Sequence, residues 1–381
     1  MSLFLLTFLM VYGSVHLYFF LKVRVAFGLG GTAAACLGAA LGLLVIAPIL
    51  VRVLEREGME QAARLAAYAG YAWMGFLFLF FSSSLAIDAY HGLLWTTGVI
   101  FRRDCTPLHL PSRTAVMIPL VWGIAISMYG SIEARSIKVE RISLTSPKLP
   151  PGRGPLTVVQ ISDVHLGLMV GKERLAMILA RINAVAPDIL VSTGDLVDGQ
   201  INGLAGLAEL LQEINPRYGK FAVTGNHESY AGLKQSENFM RRAGFKVLRG
   251  EEVTIPDLIC IAGVDDPAVH RAGTSASAEE RELVDRLAGR TFTILLKHRP
   301  VVARETQGHI DLQLSGHVHK GQIFPFNLAT YLFYPVKAGL TMLHRHTGLY
   351  VSRGTGTWGP PIRFLAPPEI TVFELSHGPG A

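Results

Sequence analysis

Carboxylate, amide and imidazole side chains recur in five short segments of the second half of the chain. These segments are Ser162-Asp163-Val164-His165, Gly194-Asp195, Gly225-Asn226-His227-Glu228, Lys297-His298-Arg299 and Gly316-His317-Val318-His319. Such side chains suit divalent metals of intermediate hardness, among them Mn, Fe, Co and Zn. Glycine precedes Asp195, Asn226 and His317, and it frees the backbone for tight turns beside a bound ion. The residue types therefore predict a metal centre.

Each of the five segments follows an apolar, β-prone run, the first of which is residues 156–162. Helical periodicity over Lys172–Val185 and over later segments separates these runs, a pattern that predicts a largely parallel sheet. Ligands of such sheets bind at the carboxyl ends of the strands, so the five segments are expected to meet at one edge. Seven candidate ligands indicate two ions that share one carboxylate, an arrangement suited to phosphoryl chemistry.

Together, the five segments resemble the signature blocks of the calcineurin-like metallophosphoesterases in order and spacing. The flanking stretches GHVHKGQIFPF and YVSRGTGTWGPPIRFLAPPEITVFEL are similar to a membrane-associated bacterial branch of that family. The branch includes the YkuE-type enzymes and the membrane-bound UDP-2,3-diacylglucosamine hydrolases. The resemblance covers about residues 136–375, and it implies a two-sheet β-sandwich flanked by helices and a metal-dependent phosphoesterase activity.

The resemblance also implies roles for individual residues. The first metal would be held by Asp163, His165 and His319, the second by Asn226, His298 and His317, and Asp195 would bridge the two. His227 would be a non-ligand histidine that contacts the phosphate and protonates the leaving group, and Asn226 would help to stabilise the phosphoryl charge. The implied cofactors are two divalent ions, Mn, Fe or Zn, with Mn favoured.

Lys320 is a departure from the family pattern, because close relatives often have a glycine at this place. Its side chain either contacts the substrate phosphate or points to solvent. Arg299, next to His298, is the second candidate for a substrate contact.

The first third of the chain has a different composition. The whole chain is 50% hydrophobic and 17% charged, against about 25% charged residues in an average soluble protein. The excess lies in residues 1–132, where apolar runs at residues 3–21, 33–53, 65–101 and 115–129 predict about four transmembrane helices. A connecting strand and linker are expected at 133–154, where SPKLPPGRG cannot continue a helix. Residues 155–381 would then form the metallophosphoesterase domain.

The third apolar run is too long for one span and short for two. Ser82, Ser83, Ser84, Asp88 and His91 interrupt it. We interpret it as a span followed by an interfacial or re-entrant helix. Asp88 and His91 either mark a functional site within the membrane or lie at the water interface.

Basic residues near the span ends give the orientation. Six lie on the side of the α/β domain (Arg52, Arg56, Arg64, Arg135, Lys138 and Arg141) and five on the other (Lys22, Arg24, Arg102, Arg103 and Arg113). The positive-inside rule then predicts an integral protein of the bacterial inner membrane with a cytoplasmic catalytic domain.

The expected partners are the lipid bilayer and a phosphorylated substrate. The formal net charge is +6, but no Lys/Arg-rich block or zinc-finger spacing supports nucleic-acid binding. The oligomeric state is left open by the sequence. The tethered two-metal centre favours hydrolysis of a phosphomonoester, phosphodiester or pyrophosphate bond in a lipid or nucleotide-linked lipid. The alternative function is a non-catalytic membrane scaffold or sensor that uses a metallophosphoesterase-like domain.

Overall fold

The computed structural model describes residues 3–199, 204–269, 276–287, 291–336 and 338–379, and the chain divides into two compact units. The first, called here the helical unit, comprises Met1–Ile132 and Gly359–Ile362. The second, the α/β unit, comprises Glu133–Trp358 and Arg363–Ala381.

Four helices, each long and apolar enough to cross a bilayer, account for most of the helical unit. They are α1 (Leu3–Phe27), α2 (Gly31–Arg56), α3 (Glu60–Phe101) and α4 (Ser112–Arg135). Aromatic rings pack between α1 and α3, where Phe19 lies edge-to-face with Trp73 at 5.3 Å and with Phe80 at 4.7 Å. The prediction of four apolar N-terminal helices is confirmed.

The third apolar run is one continuous helix of 42 residues. The predicted separate interfacial or re-entrant helix after the third span is therefore wrong. The hydroxyls of Ser82 and Ser83 donate to the carbonyls of Phe78 and Leu79, one turn earlier, at 2.8 and 2.7 Å. Because these hydroxyls are satisfied by the helix itself, the serines do not break it, and α3 has no proline that would.

The α/β unit has two six-stranded sheets. The strands are β1 (Lys138–Ser146), β2 (Leu156–Ile161), β3 (Ile189–Ser192), β4 (Lys220–Ala222), β5 (Phe245–Val247), β6 (Glu251–Ile255), β7 (Ile259–Gly263), β8 (Phe292–Leu296), β9 (Leu312–Ser315), β10 (Gly339–Met342), β11 (Gly348–Val351) and β12 (Glu369–His377). The first sheet has the order β1-β12-β2-β3-β4-β5 and the second β10-β11-β9-β8-β7-β6.

The last two strands of the chain, β11 and β12, lie in different sheets. Strand β11 lies parallel to β9 in the second sheet, whereas β12 lies in the first, parallel to β1 and antiparallel to β2. Residues 369–373 of β12 are all buried, as befits an inner strand covered on both faces. Both sheets are consequently mixed, and the predicted two-sheet fold is confirmed.

The helices of the α/β unit are α5 (Lys172–Val185), α6 (Leu207–Gln212), α7 (Asn226–Ala231), α8 (Leu233–Arg242), α9 (Ala276–Leu287) and α10 (Phe326–Phe333). Residues of α5, α6 and α8 pack on one face of the first sheet, and residues of α9 pack on β7 and β8 of the second. Alternate residues of β2 point to opposite faces: Val158 belongs to the core between the sheets, and Val159 to the core under α5. The buried β2, β3 and β4 form the rigid base from which the site residues project.

Candidate metal centre

All seven predicted metal ligands lie just beyond, or soon after, the carboxyl ends of parallel strands. In the first sheet, β2, β3 and β4 are parallel neighbours, and they lead into Asp163, Asp195 and Asn226. In the second sheet, β8 and β9 are parallel neighbours, and they lead into His298 and His317. The structure brings these residues together at one edge of the sandwich.

The first group of ligands comprises Asp163, His165 and His319. His165 Nε2 lies 3.1 Å from His319 Nε2, and His319 Nε2 lies 3.4 Å from Asp163 Oδ1. All three side chains are buried. Three ligand atoms that converge in this way fit a single divalent cation.

The second group comprises Asp195, His298 and His317. His298 Nε2 lies 3.1 Å from Asp195 Oδ2 and 3.1 Å from His317 Nδ1. Asp195 Oδ2 also lies 4.0 Å from His165 Nε2 in the first group. One carboxylate oxygen therefore faces both groups, as a bridging ligand must.

Asn226 follows β4, the strand next to β3, which leads into Asp195. Its Oδ1 atom is buried and has no hydrogen-bond partner among the residues that the structure describes. An unpartnered buried carbonyl oxygen is costly in an apolar setting, and a cation would satisfy it. This orphaned acceptor, together with the imidazole and carboxylate ligands, shows that the site fits two divalent ions.

The backbone at the site is unusual for residues with a side chain. Five of the seven ligands have positive φ angles, namely Asp163 (51°), His165 (54°), Asp195 (50°), His317 (72°) and His319 (47°). Non-glycine residues rarely adopt this region, and where they do so the surrounding structure must hold them there. The turns after the strands therefore hold the ligands in place before any ion binds.

Two glycines allow the close approach of these turns. A Cβ atom on Gly225 would overlap Asp195 Oδ1, and one on Gly316 would overlap Ser162 Oγ and Asp163 Oδ2. The predicted role of the glycines before Asn226 and His317 thus has a direct steric basis.

The imidazoles of His165, His317 and His319 are held neutral. Burial, and then neighbouring histidines, lower the pKa of His165 to about 4 and that of His317 to about 3, and lower the pKa of His319 well below its usual range. Metal ligation requires the neutral imidazole, so these three side chains are already in the form that binds.

His298 lies in a strongly negative environment. Burial would lower its pKa, but the charges of Asp195, Asp163 and Asp266 and the hydrogen bond to Asp195 raise it to about 10. The same carboxylates would favour a divalent cation. His298 Nδ1 lies 2.8 Å from the Thr193 carbonyl, so its N–H donates there and the Nε2 atom faces Asp195. A hydrogen bond from the ring nitrogen that does not bind the metal orients a ligating histidine.

His227 lies beside both groups without belonging to the predicted ligand set. Its Nδ1 atom is 2.8 Å from Asp198 Oδ1. Burial lowers the pKa of His227, but the hydrogen bond to Asp198 and the charges of Asp195 and Asp198 outweigh it, so the pKa lies above its ordinary value. A protonated imidazole held at this position suits a general acid.

Three further residues organise the site, and sequence reasoning assigned a role to none of them. Asp198 orients His227 and lies three residues after Asp195, so its place in the same loop was an available signal. Glu228 is buried and accepts hydrogen bonds from the N–H groups of Asp195, Leu196, Val197 and Gly225 at 2.6–3.2 Å. It joins the two loops that carry Asp195 and Asn226.

The third residue is Arg363, which is fully buried. Its guanidinium donates to the carbonyls of Arg353, Gly356 and Ala366, and Nη2 lies 3.2 Å from His319 Nδ1. Because Arg363 is 44 residues from His319, no local sequence signal could have placed it there.

The two predicted substrate contacts have different surroundings. Arg299 forms two hydrogen bonds with Asp266, at 2.8 and 3.0 Å, so much of its donor capacity is already used. Lys320 is half-buried beside His319 and has a φ of 51°. Their contact with substrate stays a prediction.

Comparison with known proteins agrees with this geometry. Residues 156–321 match the calcineurin-like phosphoesterase family. The chain is 40% identical to an uncharacterized metallophosphoesterase of Aquifex aeolicus over 66% of its own length and 97% of that protein. It is 33% identical to the uncharacterized metallophosphoesterase YkuE of Bacillus subtilis over 64% of its own length and 87% of that protein.

The chain belongs to the calcineurin-like metallophosphoesterases. The resemblance inferred from its motifs is confirmed at the level of the family and of YkuE-type relatives. This metallophosphoesterase is also 34% identical to a bovine "transmembrane protein with metallophosphoesterase domain" over 77% of its own length and 69% of that protein. The narrower similarity to UDP-2,3-diacylglucosamine hydrolases stays a prediction.

Proposed function

We propose that this metallophosphoesterase is a membrane-anchored binuclear enzyme that hydrolyses a phosphoester or pyrophosphate bond of a lipid or nucleotide-linked lipid. Two bound divalent cations, with Mn²⁺ favoured, would neutralise the phosphoryl oxygens and lower the pKa of a water molecule between them. Asp163, His165 and His319 would hold one cation, Asn226, His298 and His317 the other, and Asp195 both. The side-chain N–H of Asn226 would also donate a hydrogen bond to a phosphoryl oxygen.

The proton for the leaving group comes from His227 in this proposal. Asp198 accepts the Nδ1–H bond, so the Nε2 nitrogen is the one free to donate. His227 is packed against two aromatic rings, Tyr230 at 5.4 Å and Trp358 at 5.8 Å, which limit its movement.

His227→Ala is expected to lower kcat/KM for an alkyl phosphate by about 10²–10⁴, the usual contribution of a general acid. The loss for 4-nitrophenyl phosphate should be much smaller, since that leaving group needs no proton. Steady-state assays of both substrates would measure the difference, with Asp198→Asn expected to show the same selectivity in weaker form. Equal losses on the two substrates would contradict the assignment of His227 as the acid.

The apolar surface around the metal residues carries the lipid part of the proposal. Tyr230 and Trp358 are exposed and pack on His227, and Tyr334 packs edge-to-face on His317 at 5.3 Å. Directly before Tyr334, Leu332 is 83% exposed and Phe333 79% exposed at the end of α10. Exposed apolar groups of this size and proximity are typical of ligand or membrane contact.

The double variant Leu332→Asp/Phe333→Asp tests this surface. Burial of a large apolar side chain is worth about 1.5–3 kcal/mol, so we expect kcat/KM for phosphatidic acid in mixed micelles to fall at least about tenfold. Activity on 4-nitrophenyl phosphate should not change. Met177→Asp, which places one such negative charge at an exposed apolar position on α5, is the control. An unchanged rate on the lipid, or good wild-type activity on soluble esters with none on lipids, would contradict the lipid substrate.

A further inference from the structure

A partly buried ionic pair joins two of the helices in the helical unit. Lys22 of α1 forms a salt bridge with Asp88 of α3, and the Tyr18 hydroxyl donates to Asp88 Oδ2 at 2.6 Å. The Lys22 side chain is 25% exposed and the Asp88 side chain 34% exposed. Charged groups within apolar helices are costly and mark functional sites more often than not.

Lys22 of this pair lines a cavity of about 480 Å³, a volume within the range of ligand sites, about 300–1,000 Å³. Its polar lining comes from Tyr18, Lys22, His91, His109 and Ser112. These residues belong to α1, α3, the segment before α4, and the first turn of α4. The cavity is therefore built by four parts of the helical unit rather than by one loop.

The polar lining favours an anion. Asp88 engages the Lys22 ammonium, which has three donors and no acceptor, and holds it at the wall. The Leu110 N–H donates to His91 Nε2 at 3.1 Å, so a neutral His91 carries its proton on Nδ1. The His91 and His109 rings lie 4.9 Å apart. Lys22, His91 and Ser112 thus all offer hydrogen-bond donors.

The charge of the surrounding residues also favours an anion. Residues 22–30 and 88–113, which form this end of the unit, contain the basic residues Lys22, Arg24, Arg102, Arg103 and Arg113 against the acidic Asp88 and Asp104. An excess of three positive charges attracts anionic groups.

The apolar walls distinguish between a lipid and a soluble anion. Leu21, Val25, Leu110, Ala115 and Val116 complete the lining. Leu21 and Val25 are also exposed. An acyl chain could follow this apolar surface out of the cavity, whereas a free phosphate would leave it unused.

We propose that this cavity binds the phosphate headgroup of an anionic phospholipid, as a site separate from the metal centre. Lys22 contacts the phosphate, His91 and Ser112 donate further hydrogen bonds, and Leu21 and Val25 receive the start of an acyl chain. This inference is independent of the substrate proposed above.

Lipid retention by the full-length protein tests it. The protein is reconstituted into nanodiscs of phosphatidylglycerol and phosphatidylcholine, and the lipids that remain bound are weighed by native mass spectrometry. We expect the wild type to retain phosphatidylglycerol selectively and Lys22→Gln to lose that selectivity at least about tenfold, the usual worth of a hydrogen bond to a charged group. Arg24→Gln also removes one positive charge, two residues further on and at an exposed position. This variant should keep the selectivity for phosphatidylglycerol.

A double variant and a competition with inorganic phosphate complete the experiment. Lys22→Gln leaves Asp88 without its cation, so Lys22→Gln/Asp88→Asn removes both charges and should lose the selectivity without the unpaired acid. Inorganic phosphate added to the wild type should not displace the bound lipid. Undiminished retention in the double variant, equal loss in Arg24→Gln, or displacement by inorganic phosphate would each overturn the proposal.

Discussion

Asp195→Ala is expected to abolish metal-dependent phosphate release from 4-nitrophenyl phosphate. Asp195 Oδ2 is the oxygen that faces both ligand groups, 3.1 Å from His298 Nε2 and 4.0 Å from His165 Nε2. Its carboxylate is buried, and the positive field of His298, against the cost of burial, holds its pKa far below the usual range. Without this charge neither cation is fully held, and several kcal/mol of transition-state stabilisation are lost.

A loss of that size corresponds to a fall in kcat of about 10³-fold or more. Asp195→Asn, which keeps the shape and removes the charge, should lose nearly as much. Glu173→Ala, which removes an exposed carboxylate from α5, is the matched control and should retain full activity. Activity of Asp195→Ala close to that of the wild type would show that the hydrolytic site has been placed wrongly.

Glu228→Ala is expected to have the largest effect on stability. The Glu228 carboxylate is completely buried and accepts four backbone N–H bonds, from Gly225 at 2.6 Å, Leu196 at 2.8 Å, Asp195 at 2.9 Å and Val197 at 3.2 Å. A buried donor left without a partner costs about 1–3 kcal/mol. With four such donors, the free energy of unfolding of the α/β unit should fall by about 4 kcal/mol or more.

The measurement is the apparent Tm of the purified protein. A unit of this size changes its Tm by about 2–4 °C per kcal/mol, so Glu228→Ala should unfold about 10 °C below the wild type. Glu228→Gln retains one acceptor oxygen, so its Tm should lie between those of the wild type and Glu228→Ala. A Tm for Glu228→Ala within a degree or two of the wild type would show that these hydrogen bonds do not join the loops as described.

The seven metal ligands were predictable because each lies in a short local signal. An acid, amide or imidazole after an apolar β-prone run, in three cases directly after a glycine, can be recognised without knowing which strands pair. Asp198 and Glu228 carried the same kind of signal, since they share loops with Asp195 and Asn226. Their roles were not recognised because hydrogen bonding to backbone and to His227 depends on how those loops pack.

The remaining features depend on contacts between distant parts of the chain. Arg363 reaches His319, and Trp358 reaches His227, only because the segment between β11 and β12 returns to the site. The placement of β12 beside β1 likewise follows from pairing across more than 200 residues, which no local pattern specifies. In α3, Ser82 and Ser83, which suggested a break, donate hydrogen bonds to carbonyls of their own helix. Hydropathy alone does not predict these bonds.

A non-catalytic scaffold is the alternative that the site geometry supports least. Loss of catalysis in such a site is expected to remove or displace a ligand, whereas all seven residues are present here and six of them converge in two groups. The hydrogen bond between His227 and Asp198, at 2.8 Å, would also have no catalytic use in a scaffold.

Electron paramagnetic resonance of the Mn²⁺-loaded, detergent-solubilised protein tests the two-metal centre most directly. Two Mn²⁺ ions bridged by Asp195 would lie about 3.5–4 Å apart, so we expect two ions per chain and a spin-coupled spectrum. In Asp195→Ala the coupled spectrum should be lost. A single, uncoupled Mn²⁺ per wild-type chain would contradict the binuclear site.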